Sequence, residues 1–175
     1  MSKVAVVTGG TSGIGRATAL ALKDAGYAVY ELSRRAEGVE GLHHISADVT
    51  DQQAVNDAVA QIMAAEGHID VLVNNAAGMA LKDGRVDEIS LEDWDAVFAS
   101  DVRSTFYCTK TVLPFMQEQG AGSIINIGSM ASCGGDLGST AYACAKAGVD
   151  MLTQYTALPV SYTHLRAHET LSDLV

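Results

Sequence analysis

The chain has 175 residues, 48% hydrophobic content and a formal net charge of −10, a length and composition typical of one domain with a packed core. This acidic balance argues against binding to nucleic acid or to an anionic membrane, since both need clustered lysine and arginine. The three widely spaced cysteines fit neither a disulfide framework nor a zinc site, and no signal peptide is evident, so we expect a cytoplasmic protein without a metal.

Apolar segments alternate with helical patterns along the chain. The predicted strands span residues 3–7, 27–32, 42–47, 70–73 and 122–128, and the predicted helices span residues 14–25, 52–65, 91–99, 102–118 and 139–157. This alternation is typical of βαβ units around a parallel sheet. Pro114 lies inside the fourth predicted helix, where a proline can kink or break a helix, and we predict that the helix continues through it.

A glycine-rich turn follows the first predicted strand directly. Glycine lets the backbone approach a pyrophosphate closely, and the amino end of the next helix offers N–H groups and a positive dipole to it. A merely tight turn between strand and helix would use the same glycines, so the motif alone leaves both interpretations open. The candidate pyrophosphate-binding residues are Gly9, Thr11, Ser12, Gly13, Ile14 and Gly15.

Tyr142 and Lys146 are four residues apart on the last predicted helix and therefore share one of its faces. A nearby ammonium favours phenolate over phenol, which pulls the pKa of a tyrosine down from its usual value of about 10. Tyr142 can then exchange a proton with an alcohol or carbonyl oxygen while Ser129 hydrogen-bonds that oxygen. A nicotinamide would carry the hydride.

Together, the glycine turn, Asn74-Asn75-Ala76-Ala77-Gly78, Ser129 and Tyr142-x-x-x-Lys146 resemble the motifs of the short-chain dehydrogenase/reductase family in its single-domain form. The likeness implies a Rossmann-like α/β fold, with a doubly wound parallel sheet in three layers, and NAD or NADP as cofactor. It also implies an oxidoreductase that interconverts a secondary alcohol and a ketone by a Ser-Tyr-Lys mechanism. Tyr142 and Lys146 then also contact the cofactor, and the intact protein is a homodimer or homotetramer.

The segment Ser33-Arg34-Arg35, after the second predicted strand, bears on the choice between NAD and NADP. An acidic residue there binds a ribose hydroxyl, whereas an arginine accommodates a 2′-phosphate. By resemblance, Ser33 occupies the usual acidic position and Arg34 follows it, which favours NADP. The alternative is that both arginines belong to a solvated turn.

Three further positions acquire roles from the resemblance. Asp48 and Val49 resemble the family's adenine contact, although Asp48 could instead cap the following helix. One asparagine of the Asn74-Asn75 pair should serve the structure and the other, Asn75, the cofactor, because ligands bind at the carboxyl ends of such strands.

Asp101 stands where the family normally has an asparagine that holds a water linked to the catalytic lysine. If Asp101 faces Lys146 through that water, its charge favours the ammonium and weakens the positive field at Tyr142. We therefore place Asp101 with Ser129, Tyr142 and Lys146 in the catalytic group. The alternative is a harmless replacement, because a carboxylate accepts the same hydrogen bonds as an amide oxygen.

Residues 160–170 show no strand or helix pattern, and their back-translation resembles a sequencing-library adapter. We therefore expect an incomplete Rossmann domain over residues 1–158, lacking its C-terminal strands, followed by a non-native tail over residues 159–175. Such a chain could also be a cofactor-binding fragment or regulator without turnover, which is the alternative function. The identity of the substrate is beyond the sequence.

Overall fold

The structure, a computed structural model, describes residues 2–78, 84–134, 139–160 and 164–170, with side chains up to Ala157. The strands in these ranges are β1 (Val4–Thr8), β2 (Ala28–Ser33), β3 (His43–Ser46), β4 (Val71–Asn74), β5 (Ala121–Ile127) and β6 (His164–Thr170). The helices are α1 (Gly13–Asp24), α2 (Gln52–Glu66), α3 (Leu91–Phe98), α4 (Ser104–Gln119) and α5 (Thr140–Val160). A π-helical turn (Ala99–Arg103) joins α3 to α4, and a short 3-10 turn (Met130–Ser132) follows β5.

The six strands form one parallel sheet in the order β3-β2-β1-β4-β5-β6. The chain starts at β1 in the middle, adds strands to one side, and then returns to add β4 and the later strands on the other side. Loops at the carboxyl ends of β1 and β4 therefore diverge and leave a crevice between them. This topology confirms the predicted Rossmann-like, doubly wound fold.

Both faces of the sheet are buried, because alternate residues of each strand point to opposite sides. In β1, Val4 and Val6 pack in a cluster with residues of α2 and α4, whereas Ala5 and Val7 pack in another cluster with Ala19 of α1. Burial of helices against both faces gives the predicted three layers. No helix in the described ranges is both long and apolar enough to cross a membrane.

Helix α4 continues through Pro114, as predicted. The region before α4 differs from the prediction. The sequence predicted separate helices over residues 91–99 and 102–118, whereas in the structure a π-helical turn joins α3 to α4 without a break. A π turn holds one more residue than an α turn and is frequent at functional sites. Here the turn contains Asp101, whose side chain is buried.

The expectation that residues 160–170 contain no strand is wrong, since they include β6. Its backbone pairs in parallel with β5, from Ala121 opposite His164 to Ile127 opposite Thr170. Without β6, the edge of β5 would carry unpaired backbone N–H and C=O groups. Because backbone groups make this pairing, a strand can form here although its side chains show no alternating pattern. That residues 159–175 are a non-native tail stays a prediction.

Tyr30 in β2 provides a test of the packing between the sheet and α2. Its hydroxyl donates to the Glu66 carboxylate at 2.8 Å, and burial, followed by that carboxylate, raises the pKa of the phenol from 10.0 to about 12. We expect Tyr30→Phe to lower the free energy of unfolding near pH 7 by about 1 kcal/mol, the usual net value of a hydrogen bond.

The difference between wild type and Tyr30→Phe should depend on pH in the alkaline range. Between pH 10.0 and about 12 the unfolded chain has released the Tyr30 proton while the folded chain keeps it, so ionisation of this group lowers wild-type stability as pH rises. The variant lacks this decline. Urea unfolding at both ends of that window measures it, and a difference that is constant with pH would contradict the assignment.

Candidate active site

The glycine turn joins β1 to α1 with backbone conformations that only glycine adopts easily. Gly9 and Gly13 have φ angles of +67° and +54°. A Cβ atom on Gly10 would lie 2.6 Å from the Cβ of Glu31, which is too close for any side chain. The N-cap residue of α1, Ser12, makes no side-chain capping hydrogen bond, so its hydroxyl does not occupy the amino end of the helix.

A cavity of about 350 Å³ lies in the crevice at the carboxyl ends of β1, β2 and β4. We call it the nucleotide crevice. Many of the predicted cofactor-binding residues line it, namely Gly9, Thr11, Ser12, Arg34, Asp48, Val49 and Asn75. Gly13 and Ile14 begin α1 outside this lining, and Gly15 packs closely against the Asn75 amide and the Gly9 carbonyl. Ser100, which sequence analysis missed, also lines it.

Asn75 and Thr8 lock the ends of β1 and β4 together beside the crevice. The Asn75 Nδ2 donates to the Thr8 carbonyl at 3.0 Å, and the Thr8 hydroxyl accepts from the backbone N–H groups of Asn75 and Ala76. Asn74 is buried and donates to the Asn126 carboxamide at 2.8 Å, deeper in the sheet. Asn74 thus lies in the core and Asn75 lines the crevice, as expected for one structural asparagine and one that can reach a cofactor.

Asp48 shapes the wall of the crevice and does not cap α2. Its Oδ1 accepts from the N–H and the hydroxyl of Thr50, which closes a local turn. The N-cap of α2 is Asp51, whose carboxylate accepts from the Gln53 N–H. The alternative that Asp48 is the helix cap is therefore wrong.

Arg34 and Arg35 are exposed at the edge of the crevice. Within the ranges that the structure describes, neither guanidinium pairs with a carboxylate or donates a hydrogen bond. Two unpaired positive groups at one end of a cavity favour an anion there, since guanidinium donors match the oxygens of a phosphate.

A buried ion pair lies on the other side of the crevice. The Nζ of Lys146 lies 3.2 Å from Oδ1 of Asp101, and both side chains are almost fully buried. The same Nζ donates to the Ile127 carbonyl at 2.9 Å. The other Asp101 oxygen, Oδ2, accepts from the Gly78 N–H at 3.0 Å and from the Ser100 hydroxyl at 2.7 Å. Asp101 thus pairs with Lys146 directly, whereas the hypothesis from the sequence joined the two through a water.

Tyr142 lies beside this pair on α5. The Lys146 Nζ is 5.5 Å from the centre of the Tyr142 ring, a distance at which a cation and an aromatic face attract each other. The ring is half-buried and packs against a small cluster formed by Val97, Ala141 and Ala145. The expected one-turn spacing of Tyr142 and Lys146 therefore brings the ammonium close to the phenol.

Ser129 begins the 3-10 turn after β5. Its hydroxyl accepts from the Ala131 N–H at 3.2 Å, and the turn packs against α5, the helix of Tyr142 and Lys146. Ser129, Tyr142 and Lys146 thus lie in two elements that contact each other, as a shared site requires.

Sequence analysis missed the partners that hold Asp101, although one signal was present. Gly78 fits only because it lacks a side chain, since an added Cβ would lie 2.8 Å from the Ser100 Cβ. The glycine that closes the motif Asn74-Asn75-Ala76-Ala77-Gly78 pointed to this place, but the contact with Ser100 joins distant parts of the chain and leaves no local pattern.

Comparison with known proteins agrees with this arrangement. A family model described as short chain dehydrogenase matches residues 3–171. The chain is 34% identical to a 3-oxoacyl-(acyl-carrier-protein) reductase of Thermotoga maritima, over 95% of this chain and 71% of the relative. It spans 64% to 71% of the length of the first curated relatives that it matches.

Solved structures share the fold. ElxO with NADP bound has a TM-score of 0.91 at 30% identity, over 98% of this chain and 73% of that chain. NAD⁺-bound xylitol dehydrogenase has a TM-score of 0.90 at 31% identity, over 95% of this chain and 68% of that chain. Proteins of this fold thus bind either nucleotide.

Proposed function

The chain belongs to the short-chain dehydrogenase family, and from that premise we propose that the protein interconverts a secondary alcohol and a ketone, or a related carbonyl compound, with NAD or NADP. The observation that carries the proposal is the buried Lys146 ammonium, held beside the Tyr142 ring next to the nucleotide crevice. A phenol beside a fixed positive charge is suited to proton exchange with a substrate oxygen.

The crevice residues fit a dinucleotide. The glycine turn brings backbone close to the crevice, the Ser12 hydroxyl leaves the amino end of α1 available to a pyrophosphate, and Arg34 and Arg35 offer unpaired positive charge at the adenosine end. When bound, the nicotinamide supplies the hydride chemistry, and the residues of the chain manage the proton.

In the direction of reduction, the Tyr142 hydroxyl donates its proton to the carbonyl oxygen, and in oxidation the phenolate takes the proton back. Ser129 orients that oxygen by a hydrogen bond from its hydroxyl. Lys146 stabilises the phenolate, and the Ile127 carbonyl and the Asp101 carboxylate hold its ammonium in place. Asp101 also opposes part of the field of Lys146, because its charge lies 3.2 Å from Nζ.

The test is an assay of the full chain with NADPH and with NADH against a panel of ketones, together with calorimetric titration of each nucleotide. Binding with turnover supports the proposal. Binding without turnover of any ketone would overturn the catalytic part, and the absence of nucleotide binding would overturn the whole.

Arg34 supports a preference for NADP within this function. Its guanidinium is unpaired, and the neighbouring position 33 is a serine in place of a carboxylate, so Arg34 can offer positive charge to a 2′-phosphate. We expect Arg34→Ala to weaken NADPH binding about tenfold, the value of one hydrogen bond to a charged group. NADH binding should change by less than about twofold.

Calorimetric titration measures both effects. Lys110→Ala is the matched control, because it removes an exposed positive charge from α4, away from the crevice. Equal losses for both nucleotides in Arg34→Ala would mean that Arg34 does not contact a 2′-phosphate.

A homodimer or homotetramer in the cytoplasm completes the proposal. Phe106 of α4 and Met151 and Tyr155 of α5 are large apolar residues exposed by 43%, 50% and 65%. Apolar groups of this kind on neighbouring helices suit association with a second copy. The three free cysteines suit a reducing compartment. Light scattering tests the assembly, and a monomer at all concentrations would contradict it.

A further inference from the structure

Glu31 in β2 is fully buried, which is unusual for a carboxylate. Its strand neighbour in the register is His44 of β3, and Oε1 of Glu31 contacts Nδ1 of His44. The other ring nitrogen, Nε2, lies 3.0 Å from the backbone carbonyl oxygen of Arg35. His44 therefore bridges a buried carboxylate and the main chain of Ser33-Arg34-Arg35, which we call the arginine segment.

Each of these two contacts requires a hydrogen. A carbonyl oxygen only accepts, so Nε2 of His44 carries a hydrogen that it donates to Arg35. Nδ1 and Oε1 attract each other only with a proton between them. His44 is therefore held at both ring nitrogens, by Glu31 on one side and by the main chain of Arg35 on the other.

The pair lies directly beneath the crevice. The Cβ of Glu31 fills the place that a side chain on Gly10 would need, and His44 packs against Gly38 in the connection between β2 and β3. The end of β2, just before the two arginines, is held by two backbone hydrogen bonds. The Leu32 carbonyl accepts from the Gly9 N–H at 2.7 Å, and the Ser33 carbonyl accepts from the Ala47 N–H at 2.9 Å. His44 adds the last anchor, at Arg35.

Stability alone does not explain the pair. Its second carboxylate oxygen, Oε2, is buried and has no hydrogen-bond partner among the described residues. Replacement of a buried charged pair by apolar residues of similar size avoids that cost and is often neutral or stabilising in proteins. The arrangement is explained if the position of the arginine segment matters to the ligand.

We propose that Glu31 and His44 are positioning residues for recognition of the 2′-phosphate: they fix the backbone at Arg35 so that the guanidiniums of Arg34 and Arg35 are presented to the crevice. This inference rests on the proposed function and extends it. The anchor determines how strongly the site distinguishes a nucleotide with a 2′-phosphate from one without it, and it leaves the adenosine contacts unchanged.

The experiment is calorimetric titration of the full chain with adenosine 2′,5′-bisphosphate and with AMP. The double variant Glu31→Leu/His44→Leu removes the anchor without leaving a buried charge unpaired. We expect its affinity for the bisphosphate to fall about tenfold and its affinity for AMP to change by less than about twofold. His43→Leu is the matched control, because His43 is exposed and stacks on Tyr30 in place of contacting Arg35.

A second variant guards against failure of the first to fold. The double variant Glu31→Met/His44→Phe keeps a ring, leaves no buried charge unpaired, removes both contacts, and should show the same selective loss, with circular dichroism confirming a folded chain. Equal losses for the two ligands in a folded variant would overturn the proposal. A wild-type chain that binds both ligands equally would also overturn it. A wild-type chain that binds neither would overturn the proposed function itself.

Discussion

Replacement of Tyr142 by phenylalanine should lower kcat for ketone reduction by about 10²- to 10⁴-fold, the usual contribution of a general acid. The change removes only the hydroxyl, so the ring keeps its packing against Val97, Ala141 and Ala145 and its place beside the Lys146 ammonium. The fold and the nucleotide crevice should therefore remain. The loss should appear mainly in kcat, with a much smaller loss of nucleotide affinity from the missing hydroxyl contact to the cofactor.

Steady-state kinetics and calorimetric titration with NADPH separate these two outcomes. Tyr155→Phe is the matched control, because Tyr155 is exposed on the same helix and undergoes the same substitution. A Tyr142→Phe variant with wild-type kcat would exclude Tyr142 as the acid, and a variant that no longer binds NADPH would indicate a structural defect instead.

Asp101→Ala should destabilise the fold by about 3–5 kcal/mol, because it leaves the buried Lys146 ammonium without its counter-charge. It also removes the acceptor for the Gly78 N–H and the Ser100 hydroxyl. Urea unfolding measures the loss. A loss below about 1 kcal/mol would mean that the pair behaves like an exposed one.

Asp101→Asn is the informative contrast, because the amide keeps an oxygen acceptor of nearly the same shape but lacks the charge. Its destabilisation should be the smaller of the two. Without the opposing charge, the positive field of Lys146 acts more strongly at Tyr142. We therefore expect kcat for alcohol oxidation to differ from that of wild type, and an unchanged kcat would support a harmless replacement.

Local sequence predicted most of the architecture. The helices and β1 to β5 lie within a few residues of their predicted bounds, because each depends on the periodicity of its own apolar residues. The Tyr142–Lys146 spacing was equally local, since two residues one helical turn apart must meet. These features needed no knowledge of distant contacts.

Features that depend on tertiary contacts were not predictable. The π-helical turn depends on an extra residue that has no signature in composition. The direct contact of Asp101 with Lys146 joins residues far apart in sequence, and burial of Glu31 follows from its pairing with His44 across two strands. β6 forms through backbone pairing at the edge of β5, to which side-chain pattern contributes little.

The π-helical turn also bears on how this molecule can tolerate change. Successive residues of a helix are rotated by about 100° around its axis, so deletion of one residue between Ala99 and Arg103 would swing α4 out of phase with α3. Either Asp101 would leave Lys146 or α4 would leave the sheet. The length of the turn is therefore constrained, and insertions or deletions between Ala99 and Arg103 should be far more damaging than substitution of Arg103, which is exposed.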